Sequence, residues 1–324
     1  MTLLFSPKDK LFHHLDALRA FEQGNNAAPP VNCEISPTMY CNASCPWCYF
    51  LASDYKQKHS KEWIDRDVLE RTIREVAAMG TQAISWTGGG DPSIYPGIDA
   101  MIDVAHEVGL KQGMFTNGYR PINYPEKLAW IRLTITEKFT VPESASVYAA
   151  ATKTGVNFNL SNQNQHHLRP IVEQALRAGV HYFQVRPALA DRYDLQEKVI
   201  YPLWLKDYET PDFQVVLTPY KFEDYHKPHG YPICHGHRLV PFIWHDGRVD
   251  VCAYHHRQQT GYTFGNLYEQ SFSEIWHGER RRQMLEAGVP VIPSCQHCCK
   301  NHELNKVMAA IAGEVETVSD KEFV

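Results

Sequence analysis

An α/β fold built on a parallel sheet, followed by a small α+β region, is what this sequence predicts, and three observations predict it. From Val31 onward, short apolar runs alternate six times with segments of helical period, the pattern of βα units. After residue 230 the alternation stops, and a hairpin pattern, one long helical stretch and a group of cysteines take its place. The length of 324 residues is too great for one small core and suits a barrel-sized domain with a modest appendage.

The elements follow in order. Residues 1–30 form a polar, partly helical lead-in that ends at Ala27-Ala28-Pro29-Pro30, a linker. Val31–Ser36 reads as the first strand. Asp65 or Asp67 caps a helix running to Met79, with Val68, Leu69, Ile73 and Val76 on one face. Gln82–Trp86 is the second strand. Ile98, Met101, Ile102 and Ala105 mark the next helix, which Gly109 ends. Leu110–Thr116, Ile131–Thr136, Val156–Ser161 and Tyr182–Arg186 are strands three to six. Helices over Pro142–Lys153 and Gln165–Ala178 separate the last three. Such units take right-handed crossovers, and in these sheets the reactive site lies at the carboxyl ends of the strands. The unit of six spans 31–190, a connecting segment 191–230 holds a helix at Leu195–Leu205 and a strand at Gln214–Leu217, and 231–324 form the second domain and tail. In that domain Leu239–His245 and Arg248–Tyr254 make a hairpin about an Asp246-Gly247 turn, and a helix covers Ser271–Ala287.

Charge and hydropathy exclude several classes. A formal net charge of −5 gives no global attraction to nucleic acid or an anionic membrane, though a local basic groove stays open. Lys8, Asp9 and Lys10 interrupt a start with no long apolar run, so these residues are not expected to act as a signal peptide. No stretch approaches the ~18 apolar residues of a membrane span. Nine cysteines in such a chain point to reduced thiols used as metal ligands, and a cytoplasmic location is expected.

The first strand runs straight into Cys41-Asn42-Ala43-Ser44-Cys45-Pro46-Trp47-Cys48. A [4Fe–4S] cluster normally takes four Cys thiolates, so a three-Cys loop leaves one iron open to an outside ligand. A zinc site wants four protein ligands, commonly with paired Cys-x-x-Cys knuckles, and no second pair lies close by. Disulfides require an oxidising compartment. This spacing resembles the signature of the radical S-adenosylmethionine (SAM) superfamily. The resemblance implies a partial (β/α)6 barrel, a cluster whose open iron chelates SAM, and electron transfer that releases a 5′-deoxyadenosyl radical. It also implies a reducing partner such as flavodoxin or ferredoxin.

The same resemblance assigns a SAM pocket. Thr87-Gly88-Gly89-Gly90-Asp91-Pro92, after strand two, resembles the family's Gly-Gly-Glu-type motif that meets the SAM amino group, with Asp91 where Glu is commoner. Thr116-Asn117-Gly118, after strand three, resembles an element lining that pocket. Trp47 matches the aromatic position that packs near adenine. Asn159, Ser161 and Arg186 stand where family members hold the ribose hydroxyls and the methionine carboxylate, which an Arg fork suits. A purely structural role for these three is the alternative.

A second cysteine group follows. Seventeen residues separate Cys234 from Cys252, and 42 separate Cys252 from Cys295-Gln296-His297-Cys298. Hairpin, helix and Cys-x-x-Cys pair resemble the twitch domain, a shortened relative of the SPASM domain. The resemblance implies a second, auxiliary [4Fe–4S] cluster on Cys234, Cys252, Cys295 and Cys298. A four-Cys structural zinc site is the rival. Cys299 makes the pair ambiguous. It is either an inert buried side chain or a hydrogen donor to a substrate radical, while Cys33 belongs to the core. His235, His237, His255, His256, His297 and His302, with Arg238, Arg257 and Arg280-Arg281-Arg282, form either solvated faces or a cationic wall for a phosphate-bearing substrate.

Together these readings predict two [4Fe–4S] clusters, SAM, and oxidation or rearrangement of a small carbohydrate- or nucleoside-like molecule. Glu137, Asp191, Tyr193 and His255 are candidate general bases, with Arg186 and Cys299 as further catalytic candidates. The alternative is redox-neutral epimerisation or rearrangement of a nucleotide, nucleic acid or peptide. A non-catalytic iron–sulfur or zinc module is the alternative of another class.

Overall fold

The computed structural model describes residues 7–48, 50, 61–188, 201–218, 221–222, 228–253, 255, 261–292, 295 and 299–315. Its centre is a ten-stranded sheet, in the order β10-β9-β8-β1-β2-β3-β4-β5-β6-β7. Seven strands run parallel in sequence order: β1 (Asn32–Ile35), β2 (Ala83–Trp86), β3 (Lys111–Thr116), β4 (Trp130–Thr134), β5 (Lys153–Leu160), β6 (Tyr182–Pro187) and β7 (Gln214–Leu217). The parallel series therefore has one strand more than the six the sequence predicts. Gln214–Leu217 pairs with β6 instead of standing apart.

Helices α1 (Pro7–Lys10) and α2 (Leu15–Glu22) precede the sheet. Helices α3 (Arg66–Ala78), α4 (Ile98–Glu107), α5 (Ser144–Ala151) and α6 (Leu168–Arg177) provide the crossovers. Asp65, not Asp67, caps α3. Its Oδ1 accepts the Asp67 and Val68 amides at 2.9 and 3.2 Å. Leu69, Ile73 and Val76 of α3 and Met101, Ile102 and Ala105 of α4 are fully buried. That apolar burial is the main stabilising term of the layer.

The second domain joins the same sheet. β8 (Phe242–Ile243) pairs in parallel with β1, and β9 (Arg248–Asp250) and β10 (Thr263–Asn266) continue outward antiparallel. Gly247 turns the hairpin with φ +81°. The Ser271–Ala287 stretch is two helices, α7 (Phe272–His277) and α8 (Glu279–Ala287), because Gly278 is extended (φ −71°, ψ 157°) and breaks the ladder. Ser271 and Glu274 form a capping box at the start of α7. Helix α9 (His302–Ile311) follows the last described cysteine. Leu195–Leu205 lies partly outside the described residues, and its described end belongs to a 3-10 turn, Leu203–Tyr208. Among the described residues no helix is long and apolar enough to cross a membrane.

Candidate functional site

Residues from β1 to β8 line a single cavity of about 640 Å³. Glu34 of β1, Phe115 of β3, Arg132 and Thr134 of β4, Asn159 of β5, Arg186 of β6 and Val216 of β7 all face it, so the sheet curves around this space. Cys41, Cys45 and Cys48 open on one part of it and are half-buried.

The cysteine loop is held from several sides. The Cys48 amide donates to the Cys45 carbonyl at 3.0 Å. Glu137 Oε1 accepts the Ser44 amide at 3.0 Å, and its Oε2 accepts from Cys45 Sγ at 3.2 Å. Asn117 Nδ2 donates to Asn42 Oδ1 at 2.6 Å and stands 3.9 Å from Cys41 Sγ. Glu137, expected as a general base, thus braces the metal-ligand loop. Trp47 packs on Phe139 with ring centroids 5.3 Å apart. Phe139 is held at φ +47° and stacks on His167 at 3.7 Å. A left-handed aromatic residue is a genuine outlier, and here it fixes the wall beneath Trp47.

The three glycines have a packing reason. A Cβ at Gly88, Gly89 or Gly90 would overlap Ser36, Met39 or the Tyr40 carbonyl, respectively, so only glycine lets this loop lie against the entry to the cysteine loop. Gly88, Gly89, Gly90 and Asp91 all line the cavity. Asp91 is buried and knits two loops together. Oδ1 accepts from Ser93 N, Ser93 Oγ and Thr116 Oγ1 at 3.0, 2.8 and 2.8 Å, and Oδ2 accepts the Asn117 amide at 2.6 Å. Burial raises its carboxyl above the usual value, opposed by these hydrogen bonds.

Thr116, Asn117, Asn159 and Arg186 line the cavity, and Arg186 Nε donates to Asn157 Oδ1 at 2.8 Å. Ser161 is not among the lining residues. Its Oγ is buried with no hydrogen-bond partner among the described residues, and its amide donates to Asn164 Oδ1 at 2.8 Å. His255 is buried away from the cavity lining, and burial lowers it to about 4. Asp191, Tyr193, Cys298, His256, Arg257 and His297 lie outside the described residues.

The second cysteine group is enclosed. Cys234, Cys252, Cys295 and Cys299 are each under a tenth exposed. Burial first, and then the neighbouring thiols, push Cys252 up, with Cys234, Cys295 and Cys299 all acting on it. Burial likewise raises Cys295 to about 11. Buried thiols within electrostatic reach of one another suit a bound cation or cluster, which would stabilise their thiolates, and the expected fourth ligand, Cys298, lies outside the described residues. Among the described residues no three His, Cys, Asp or Glu side chains stand together as a ready metal site, so the fit rests on the donor chemistry of the buried thiols here and on three cysteines lining one cavity at the loop.

The described arginines of the expected cationic wall are engaged within the protein. Arg281 is buried on Trp276 at 3.5 Å and donates to the Asn26 and Trp276 carbonyls, and Arg280 donates to the Thr263 carbonyl. Conversely, the cavity includes Glu34, Arg132, Gln184, Lys221, Lys300 and Glu303, which the sequence reading passed over. Glu34, Arg132 and Gln184 are polar residues inside strands of a parallel sheet, where both faces are ordinarily apolar. That was the available signal.

Comparison with known proteins agrees with this geometry. Residues 35–142 match the radical SAM superfamily, and residues 234–299 match SPASM, an iron–sulfur cluster-binding domain. The chain thus carries a radical SAM domain and, after it, an iron–sulfur cluster-binding domain. Its second domain is of the SPASM type, which provides for an auxiliary cluster in addition to the SAM-binding one. GTP 3′,8-cyclase of Mannheimia succiniciproducens is 26% identical over 177 residues, 53% of this chain and 49% of that protein. An S-adenosylmethionine-dependent nucleotide dehydratase of Flammeovirga pacifica is 28% identical over 118 residues, 35% of this chain and 40% of that protein. The chain thus matches about half the length of the cyclase and less of the dehydratase. Among solved structures, Streptococcus suis SuiB bound to its precursor peptide SuiA superposes with a TM-score of 0.61 at 16% identity, covering 92% of this chain and 76% of that one. The enzyme anSMEcpe, with AdoMet and a peptide bound, gives 0.54 at 15% identity, covering 86% and 88%. These likenesses describe the fold.

Proposed function

We propose that this enzyme abstracts a hydrogen atom from a small anionic nucleotide- or carbohydrate-like molecule held between its two cysteine sites, and that it oxidises the resulting radical. One observation carries the reading. The cavity that begins at Cys41, Cys45 and Cys48 also reaches Ala253, next to Cys252, and Lys300, next to Cys299. When bound, SAM and the two clusters would supply the abstracting radical and an acceptor for the electron left on the substrate. The remaining tasks fall to side chains. Arg132, Arg186 and Lys221 give the cavity cationic character, and Glu34 and Glu303 are carboxylates within it that can take a proton. Lys300 pairs with Glu34 and holds the second domain's cysteine turn to β1. The nucleotide substrates named for the two curated relatives point to the same class.

The test is anaerobic turnover of reconstituted, reduced enzyme with SAM and a panel of nucleotides, sugar phosphates and peptides. The expected result is 5′-deoxyadenosine formed one-to-one with a product two hydrogens lighter than an anionic substrate. A product of unchanged mass would replace oxidation by isomerisation. Turnover of peptides alone would overturn the substrate class.

A further inference from the structure

Arg132 sits at mid-strand on β4, with its side chain in the barrel and lining the cavity. Its guanidinium lies over three aromatic rings, 5.1 Å from the centroid of Phe115, 5.5 Å from Trp130 and 5.7 Å from Tyr182. Nε donates to Tyr182 Oη at 3.1 Å. Strand register puts Phe115, Arg132, Gly155 and Tyr182 in one layer across four adjacent strands. Two glycines make room for the aromatic walls. A Cβ at Gly155 would overlap the Tyr182 ring, and one at Gly113 would overlap Trp130. The box therefore depends on the backbone of β3 and β5 as well as on its rings.

The box leaves one edge of the cation open. The aromatic rings flank the guanidinium, Tyr182 holds Nε, and the Nη groups have no acceptor among the described residues. Nor does any described carboxylate reach ion-pairing distance of Arg132, whereas Lys300 on the same cavity is paired with Glu34. The contrast with Arg281 is direct. That residue is also stacked on an aromatic ring, but it is not among the residues lining this cavity and uses its Nη1 on two carbonyls. Burial lowers both Lys10 and Lys153 below the usual lysine value; Arg132 adds to this for Lys10, and Lys10 and then Arg132 add to it for Lys153. Arg132 lines the cavity and its Nη groups are not engaged by a described acceptor; such a guanidinium suits the paired oxygens of a phosphate or carboxylate, and aromatic faces keep it in place without neutralising it.

We propose that Arg132 is the anchor for the anionic group of the substrate, an oxyanion bound by the guanidinium edge at the inner end of the cavity. The proposal rests on the reading that this cavity holds substrate, and it identifies which group of that substrate goes deepest. Specificity then follows from geometry, since the site of hydrogen abstraction is set by its distance from the anchored group.

Equilibrium dialysis of the reconstituted holoenzyme, with SAM saturating, tests this with pyrophosphate in one arm and acetate in the other. Parent enzyme should bind at least one probe, and pyrophosphate without acetate identifies a phosphate-bearing substrate, the reverse a carboxylate. Arg132→Gln should weaken that binding about tenfold or more, the scale of a charge-assisted hydrogen bond, with iron content and circular dichroism unchanged. Should that variant fail to load iron, Arg132→Lys is the measured variant. It keeps a cation in the box, and a loss of several-fold is expected from the lost fork. Unchanged affinity in a fully loaded variant, or no binding of either probe by the parent, overturns the anchor. Binding that depends on Arg132 in an enzyme that never forms 5′-deoxyadenosine with an anionic substrate would keep the anchor and overturn the proposed reaction instead.

Discussion

The two cysteine sites use one side chain in opposite surroundings. Cys41, Cys45 and Cys48 stand half-buried on a loop open to a cavity, while Cys234, Cys252, Cys295 and Cys299 are each under a tenth exposed. An open set of three leaves room for an exchangeable ligand. The enclosed set is shielded, and without a metal its thiols stay protonated because burial penalises thiolate. The difference teaches that exposure, not cysteine number alone, separates a site that binds a reactant from one that can only exchange electrons or brace the fold.

The largest effect should come from the open site. Cys45→Ala should cut 5′-deoxyadenosine formation by more than about a hundredfold, beyond the usual cost of losing an outer-shell partner. A variant that still cleaves SAM at the parent rate would erase the distinction between the sites. Next, the Cys41/Cys45/Cys48 triple alanine variant should retain about half the parent's iron, as expected when one of two four-iron clusters is lost. Zinc at the enclosed site, with no residual iron, would make that site structural.

A smaller effect probes how the open loop is held. Glu137→Ala removes the acceptor for Ser44 N and Cys45 Sγ. It should lower iron retention against a chelator by about 10- to 100-fold, with Glu137→Gln recovering most of the loss because it still accepts the Ser44 amide. If the two variants behave alike, Glu137 does not position the loop.

The smallest effect is one of stability. Asp91→Asn places a donor where Oδ1 or Oδ2 now accepts, costing roughly 1–3 kcal/mol in denaturant melts. The pH sign follows from the raised carboxyl of Asp91. The folded form binds this proton more readily than the unfolded chain, so its contribution to stability falls as pH rises from the ordinary aspartate range into the raised one. The variant should flatten that part of the profile, and an identical slope in parent and variant would remove Asp91 as its source.

Much of the fold was legible because strand and helix periods are local. The six expected strands and the four helices among them appear within a few residues of their expected limits, and the Asp246-Gly247 hairpin forms where its turn residues place it. The errors were of pairing and continuity. Nothing within Gln214–Leu217 says that it will add to β6, nor does Phe242–Ile243 show that it will pair with β1. One extended glycine divides α7 from α8. At the site, the glycine run and Asn117 stand out as motifs, while the hydrogen bonds of Glu137 to the cysteine loop and the burial of His255 could not be read from the sequence, because a carboxylate's or imidazole's surroundings depend on residues distant along the chain.

By itself, the sequence determined the spacing of the first three cysteines, the order of the βα units and the presence of a second cysteine group. Each is written in residues adjacent along the chain or in a repeating period. Only the tertiary structure decided that both groups approach one cavity, that Arg132 lines it among aromatic rings, and that Lys300 reaches Glu34 from the other end of the chain. The physical reason is that a cavity is made by what the strands place opposite one another. Register between β3, β4, β5 and β6, and the missing side chains at Gly113 and Gly155, set that arrangement.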